Sequence, residues 1–330
     1  MEKNEFMVDL KTLRETWTGR VGHSMRPDGK AASDVIKVVD EEGPHRLYRF
    51  HDSRMHPTDK SADPDITQMP HFHYHSHETF FVDSGSIYLY IDGMRAKAVK
   101  GDIVHLRPGQ AHGFYYFEET KWRGTFHDHE LYTEFDDVAR VKQYMPELAN
   151  DPELNALNAR GRMDSYAIEP FLFKDVAPED CYGIKNVNRP HAAYEFPGVS
   201  MRVIIERWEN SGIKELNCAV MEPGFTAQWI QYPTLKEVFY VRSGKVKFNI
   251  AGKEFIADDE CVVIAPRYAP RSIEVLEKTE MYDTGGQSYW SLFLQSYESI
   301  KHHDPARLTK ETVDALKKRF DIQIESIGMK

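Results

Sequence analysis

The sequence predicts an all-β fold: two tandem jelly-roll β-barrels joined by a partly helical connecting arm, with a helix at the C-terminus. Three observations predict it. Sliding the chain against itself by 159 positions lays residues 71–114 on 230–273 without a gap, so one unit is present twice. Both copies are runs of aromatic and β-branched residues, with Ser-Gly and Asp-Gly or Ala-Gly turn signals about every eight residues, as closed all-β folds require. Neither copy carries the apolar period of a helix.

The first barrel takes residues 1–127. Its opening stretch, MEKNEFMVDLKTLRETW, mixes acidic and basic residues with no apolar run, and no later stretch approaches membrane-spanning length, so no targeting segment is expected. His71 and His73 form an H-x-H pair, a strand signature, because alternate side chains of a strand share a face. Glu78 stands five residues beyond His73, which in uninterrupted strand would put it on the opposite face. A turn is therefore expected in Ser76-His77-Glu78-Thr79. Gly85 ends the next strand, and Pro108-Gly109 sets a tight turn that returns His112 across the barrel. Three strands thus deliver His71, His73, Glu78 and His112. His75 and His77 leave His73/His75 and His75/His77 open as alternative pairs. If Glu78 and His112 face inward, so do Phe80, Val82 and Phe114, with Met69 on the face of His71. Phe80 serves equally as core and as pocket wall, and Phe114-Tyr115-Tyr116-Phe117 extends an aromatic wall with every second residue. His105 reads as a core residue or a support behind the ligands rather than a fifth ligand, His75 and His77 as rim residues, and His127-Asp128-His129, with no barrel glycine behind it, as a pair at the surface or behind the ligands.

The connecting arm, residues 128–196, is polar and acidic, with Pro146, Pro152, Pro170, Pro178 and Pro190 interrupting short helical patterns such as EFDDVARVKQYM. The second barrel takes residues 197–330. Glu78 pairs with Glu237, Phe80 with Phe239, Val82 with Val241, Ser84 with Ser243, Gly85 with Gly244, Ile91 with Ile250 and Gly93 with Gly252. At the same offset His71 becomes Ile230, His73 becomes Tyr232 and His112 becomes Arg271, a set that holds no transition metal. A buried Glu237 without a metal needs another cation or a proton, and Arg271, at the fourth-ligand position, is placed to supply the cation. His302 and His303 lie in a polar lead-in to LTKETVDALKKRF, where Thr309 is the expected N-cap and Val313, Leu316 and Phe320 fall at helical spacing.

Three imidazoles and one carboxylate suit one divalent transition metal, Fe, Mn, Ni, Co, Cu or Zn, in the first barrel, and neither an all-oxygen nor a thiolate site. No organic cofactor is expected. A net charge of -10 and a pI near 5.8 argue against nucleic acid or anionic membrane as partners, and make a neutral or aromatic small molecule easier to accept. Cys181, Cys218 and Cys261 are odd in number and far apart, so no disulfide framework is expected and cytoplasmic residence is the default. Two fused barrels are compatible with a monomer or a homodimer.

The motifs resemble those of bicupins, and among these the quercetin (flavonol) dioxygenase family. The pattern H-x-H-x4-E-x6-G is met by His71, His73, Glu78 and Gly85, and G-x5-P-x-G-x2-H by Gly101, Gly109 and His112, with Arg107 where the first proline is usual. Only His71/His73 leaves the four intervening residues before Glu78. The resemblance covers about 45 residues in each half. It implies cupin barrels, a metal on the four ligands, and Glu78 as both ligand and catalytic base toward an enolic hydroxyl. The loss of ligands in the second copy makes a one-site bicupin, unlike the oxalate decarboxylase pattern in which both barrels keep theirs. The expected function is a metal-dependent dioxygenase cleaving a flavonol-like or other aromatic enol, with Phe80, Phe114 and Met69 contacting substrate. The alternative is a non-oxidative isomerase, lyase or decarboxylase working through a metal-bound enolate at the same site. A catalytically silent binding cupin would have lost ligands in both barrels.

Overall fold

The computed structural model describes residues 4–16, 22–25, 31–43, 46–57, 71–73, 77–127, 144–148, 151, 165–167, 173–210, 215–230, 237–285 and 289–323. In chain order its strands are β1 (Met7–Asp9), β2 (Gly22–Met25), β3 (Ala31–Gly43), β4 (Arg46–Met55), β5 (His71–His73), β6 (His77–Ser84), β7 (Ser86–Ile91), β8 (Met94–Val99), β9 (Asp102–Leu106), β10 (His112–Tyr115), β11 (Thr120–His127) and β12 (Ser165–Ala167). They continue with β13 (Lys174–Asp175), β14 (Ile184–Asn186), β15 (Ala192–Phe196), β16 (Val199–Ile205), β17 (Leu216–Met221), β18 (Thr226–Trp229), β19 (Glu237–Ile250), β20 (Lys253–Ala257), β21 (Cys261–Ala265), β22 (Arg271–Asp283) and β23 (Ile322–Gln323). The helices are α1 (Leu13–Thr16), α2 (Tyr289–His303) and α3 (Lys310–Arg319). Strands dominate, as the repeat implied.

Two compact units result, one of Gly19–Asn186 and one of Met1–Thr18 with Val187–Lys330. This division differs from boundaries at 127/128 and 196/197, and the ladders give the reason. Arm strands β12, β13 and β14 pair with β5, β8 and β9 of the first barrel. At the other end, β1 pairs with β21, Met7 opposite Val263. Backbone hydrogen bonding, rather than position in the chain, decides which barrel a segment joins. The pattern EFDDVARVKQYM lies almost wholly outside the described residues.

The first barrel has a six-stranded sheet, β12-β5-β10-β7-β8-β13, and a seven-stranded sheet, β14-β9-β6-β11-β4-β3-β2. Its interior is lined by Phe80, Val82, Ile87, Leu89, Ile91, Val104, Leu106, Phe114 and Trp122, the inward residues of alternating strands. The second barrel is built on the path β1-β21-β19-β22-β17-β16-β15, around Phe239, Val241, Phe248, Val263, Ile273 and Met281.

The repeat is preserved rung by rung. Glu78 faces Leu106 as Glu237 faces Ala265, Phe80 faces Val104 as Phe239 faces Val263, and Ile91 faces His112 as Ile250 faces Arg271. Left-handed backbone recurs at the same offset, at Gly85 and Gly244, Asp92 and Ala251, Gly93 and Gly252, Gly101 and Glu260, Gly109 and Tyr268. At the first of these pairs the glycine is obligatory. A Cβ on Gly85 would come within 2.5 Å of the Glu119 carbonyl oxygen, and on Gly244 it would clash in the same way with that of Lys278, in addition to the cost of positive φ.

The helix α3 begins as expected, with the Thr309 hydroxyl accepting from the Thr312 N–H at 3.3 Å. The helix α2 corrects the lead-in reading: His302 and His303 form its exposed last turn. Trp290, Phe293 and Leu294 bury one face of it, with Tyr297 and Ile300 packed alongside, at the spacing of an amphipathic helix. All three cysteines are buried free thiols. Among the described residues no helix is long and apolar enough to cross a membrane.

Candidate metal centre

Strand pairing sets the ligands in place. In the six-stranded sheet β10 lies beside β5, with His112 opposite His71. Glu78 comes from β6 of the facing sheet; of the turn expected in Ser76-His77-Glu78-Thr79, His77 to Thr79 are already strand, and Ser76 lies outside the described residues. The turn before His112 is closed by the Gln110 N–H donating to the Arg107 carbonyl at 3.2 Å, with Gly109 at φ +77° in its third position. Pro-Gly in the central positions suits that geometry. Its Gly109 N–H donates to the His73 carbonyl at 2.6 Å, which ties the third histidine's approach to the strand of the first two.

His73 Nε2 lies 3.0 Å from Glu78 Oε1, and His112 Nε2 lies 3.8 Å from Glu78 Oε2. All three side chains are buried, and one ligand atom from each falls within 4.8 Å of the others. His112 Nδ1 is 2.8 Å from the Gln110 carbonyl oxygen. A carbonyl only accepts, so Nδ1 carries a proton, which leaves Nε2, on the side of Glu78, as the ring nitrogen a metal would take. Two imidazole nitrogens and a carboxylate oxygen converging in a buried site fit a divalent transition metal. His71 holds its place opposite His112 in the ladder; its side chain, like Met69 and His75, lies outside the described residues.

The walls follow strand parity. Phe80 meets Phe114 edge-on at 5.5 Å and packs on Trp122 at 4.2 Å, while Phe114 tilts against His112 at 5.6 Å. Within the aromatic run, Phe114 and Tyr116 join this core, whereas Tyr115 and Phe117 pack on each other at 4.1 Å. Burial raises the Tyr116 hydroxyl far above its ordinary value, and the Glu78 charge adds to this, so it stays protonated. The sequence reading missed Trp122, whose place is set by its ladder position opposite Val82.

One expectation is corrected. His77 is not at the rim: it is buried on β6, on the face opposite Glu78, stacked 5.9 Å from the parallel ring of His105. Burial, then the neighbouring His105, push its imidazole down to about 3. His105 is a core residue as expected, with Nδ1 3.0 Å from the Thr79 hydroxyl. His127 ends β11, and the side chains of His127 to Glu130 lie outside the described residues.

In the second barrel Glu237 and Arg271 are both fully buried and joined, Arg271 Nη1 to Glu237 Oε2 at 2.5 Å. The guanidinium also donates to the carbonyls of Ala269 and Pro266, at 3.1 and 3.2 Å. Arg271 therefore stands at the His112 position as the cation expected for Glu237. The gapless alignment needs one adjustment. The residue opposite Arg271 in the ladder, where His71 faces His112, is Trp229 and not Ile230. Trp229 Nε1 donates to Glu237 at 3.2 Å.

Residues 61–122 match the family model of the cupin domain. That segment contains all four candidate ligands. Among solved structures, a tryptophan-to-tyrosine variant of Bacillus subtilis oxalate decarboxylase aligns over 99% of this chain and 90% of its own, with a TM-score of 0.49 and 12% identity. A tryptophan-to-phenylalanine variant gives a TM-score of 0.49 at 13% identity, over 99% and 90% of the two chains. The same decarboxylase at pH 4.6 gives 0.49 at 12%, over 99% and 89%. Likeness at this level carries nothing about substrate or reaction. No curated protein matches the sequence.

Proposed function

We propose that the first barrel is the active site of a metal-dependent dioxygenase that cleaves a flavonol-like or other aromatic enol. The observation that carries this reading is the buried carboxylate of Glu78, set against two imidazoles at 3.0 and 3.8 Å, one of which, His112, packs on Phe114 and through it on Phe80. His73, Glu78 and His112, with His71, would hold the metal. A divalent transition metal there would supply Lewis acidity toward an enolate oxygen.

Glu78 takes the proton of the enolic hydroxyl as substrate enters, a general-base step suited to a carboxylate shielded from water. Phe80, Phe114 and Met69 flank the substrate ring, and the protonated Tyr116 provides a hydroxyl donor in the same core. Dioxygen is then the oxidant: both of its atoms enter the product, one on each carbon of the carbon-carbon bond of the ring that breaks. Oxygen uptake by metal-reconstituted protein over a panel of flavonols tests this, and absence of uptake with every metal overturns it. Turnover of an enolisable substrate without oxygen would move the assignment to an isomerase, lyase or decarboxylase, in which Glu78 returns the proton it took.

A further inference from the structure

Arg107 stands where proline is usual in the second motif, and the second barrel keeps that proline as Pro266. Proline has no backbone N–H. Arg107 has one, and it donates to Gln110 Oε1 at 2.8 Å. The other end of the same buried amide, Nε2, donates to Asp92 Oδ2 at 3.3 Å, and the Tyr182 hydroxyl donates to that same oxygen. The backbone carbonyl of Gln110 is the acceptor for His112 Nδ1, at 2.8 Å. A series of hydrogen bonds therefore runs from Tyr182 through Asp92 and Gln110 to an imidazole of the candidate metal centre.

Tyr182 lies on a strap of the connecting arm that is fastened to the first barrel. Its neighbours Cys181 and Ile184 belong to the barrel core, the Gly183 carbonyl accepts from the His105 N–H at 2.8 Å, and Ile184 lies opposite Val104. The Arg107 guanidinium sits over the Tyr182 ring, 5.7 Å from its centre. Burial, then the Asp92 carboxylate, raise the Tyr182 phenol above its ordinary value, so it stays a donor.

The second barrel has the same strap and the same turn without this series. Its strap is β1: the Phe6 carbonyl accepts from the Ile264 N–H at 2.8 Å, and Met7 lies opposite Val263. Its turn has the Ala269 N–H on the Pro266 carbonyl at 3.3 Å and the Ala251 N–H on the Pro270 carbonyl at 2.9 Å, as Gln110 bonds to Arg107 and Asp92 to Ala111. Gln110 is thus matched by Ala269, Asp92 by Ala251, and Tyr182 by Glu5, which pairs with Lys253 instead. Neither strap nor turn requires the three side chains. What differs is the group at the turn's carbonyl: Arg271 is fixed by bonds to Glu237, Ala269 and Pro266, whereas His112 meets the Gln110 carbonyl with Nδ1 alone.

We propose that Tyr182, Asp92 and Gln110 are positioning residues for His112, by which the connecting arm holds the metal-binding turn in register. The proposal rests on the reading of the first barrel as a metal centre and not on the reaction assigned to it. An amide held at both ends fixes the carbonyl that sets the tautomer and aim of the imidazole.

Cobalt(II) is the probe, added to the metal-free full-length protein and measured by chelator competition. Gln110→Ala should lower cobalt affinity by about 10–100-fold, the range for losing a group that orients a metal ligand. Tyr182→Phe should lower it by about two- to tenfold, the worth of one hydrogen bond. The visible spectrum of bound cobalt should shift in both, while the unfolding midpoint of the metal-free variants stays at the wild-type value, since the second barrel builds the same turn on alanine. Gln110→Glu removes the donor to Asp92 and should bind as weakly as Gln110→Ala; adding Asp92→Asn supplies a donor in the reverse sense and should recover most of the affinity. Wild-type affinity and spectrum in Gln110→Ala overturn the proposal, as does a loss that comes with a lowered midpoint and no recovery on adding Asp92→Asn. Failure of the wild type to bind cobalt overturns the metal centre itself, and the positioning role with it.

Discussion

The two barrels share a scaffold and differ in a handful of inward positions. Rungs, left-handed turns and the obligatory glycines Gly85 and Gly244 coincide at one offset. Yet His112 is matched by Arg271, Gly124 by Asp283 and His51 by Asn217. One barrel converges two imidazoles and a carboxylate; the other neutralises the same carboxylate with a guanidinium. The difference teaches that barrel closure does not require the ligands. Their presence in the first barrel is then a matter of chemistry, while the retained glutamate of the second is stabilised as half of an ion pair.

The comparison can be broken at several points. The largest effect is expected from Glu78→Gln, which should lower turnover by about 10²–10⁴-fold, the range for loss of a general base, while some metal is retained; steady-state kinetics with metal analysis would show both. In the second barrel, Arg271→Met leaves Glu237 buried without its cation and should destabilise that unit by about 3–5 kcal/mol. Adding Glu237→Leu should recover most of the loss in urea unfolding, because an apolar pair of similar volume replaces the buried charges. If Arg271→Met alone were neutral, the ion pair would not be what holds Glu237.

Smaller effects sharpen the scaffold half of the comparison. Gly85→Ala and Gly244→Ala should each destabilise by more than about 1–2 kcal/mol, the cost of left-handed backbone alone, since both also meet a carbonyl oxygen. Similar values in the two would confirm equivalent turns, and a large disparity would deny it. Smallest is the turn where Tyr268 occupies the place of Gly109, at φ +62° and +77°. Tyr268→Gly should raise stability by about 0.5–1 kcal/mol, relief of strain less the entropy of glycine, read as a shift in thermal midpoint.

Much of this was legible in the sequence, for local reasons. The repeat carried register, because strands of period two with glycine turns leave little freedom to slip. The spacing of His73, Glu78 and His112 and the substitution at Arg271 could be read directly. Other features depended on pairings between distant segments. The edge pairing of β1 with β21 has no local signal. His51 was overlooked because β4 and β17 lie before the gapless repeat and match at another offset, Met55 with Met221, each opposite its threonine, Thr120 or Thr279. His77 was misplaced because a histidine-rich turn looks solvated, whereas its parity with Thr79 puts it on the buried outer face of β6. The helix α2 had its signal in Trp290, Phe293, Leu294 and Tyr297 and should have been found.

Metal stoichiometry tests the central claim most directly. After reconstitution with each divalent metal in turn, elemental analysis should give one equivalent per chain. The metal should be lost in His112→Ala and unaffected in Arg271→Met. Two equivalents per chain, or full retention by His112→Ala, would contradict a single centre confined to the first barrel.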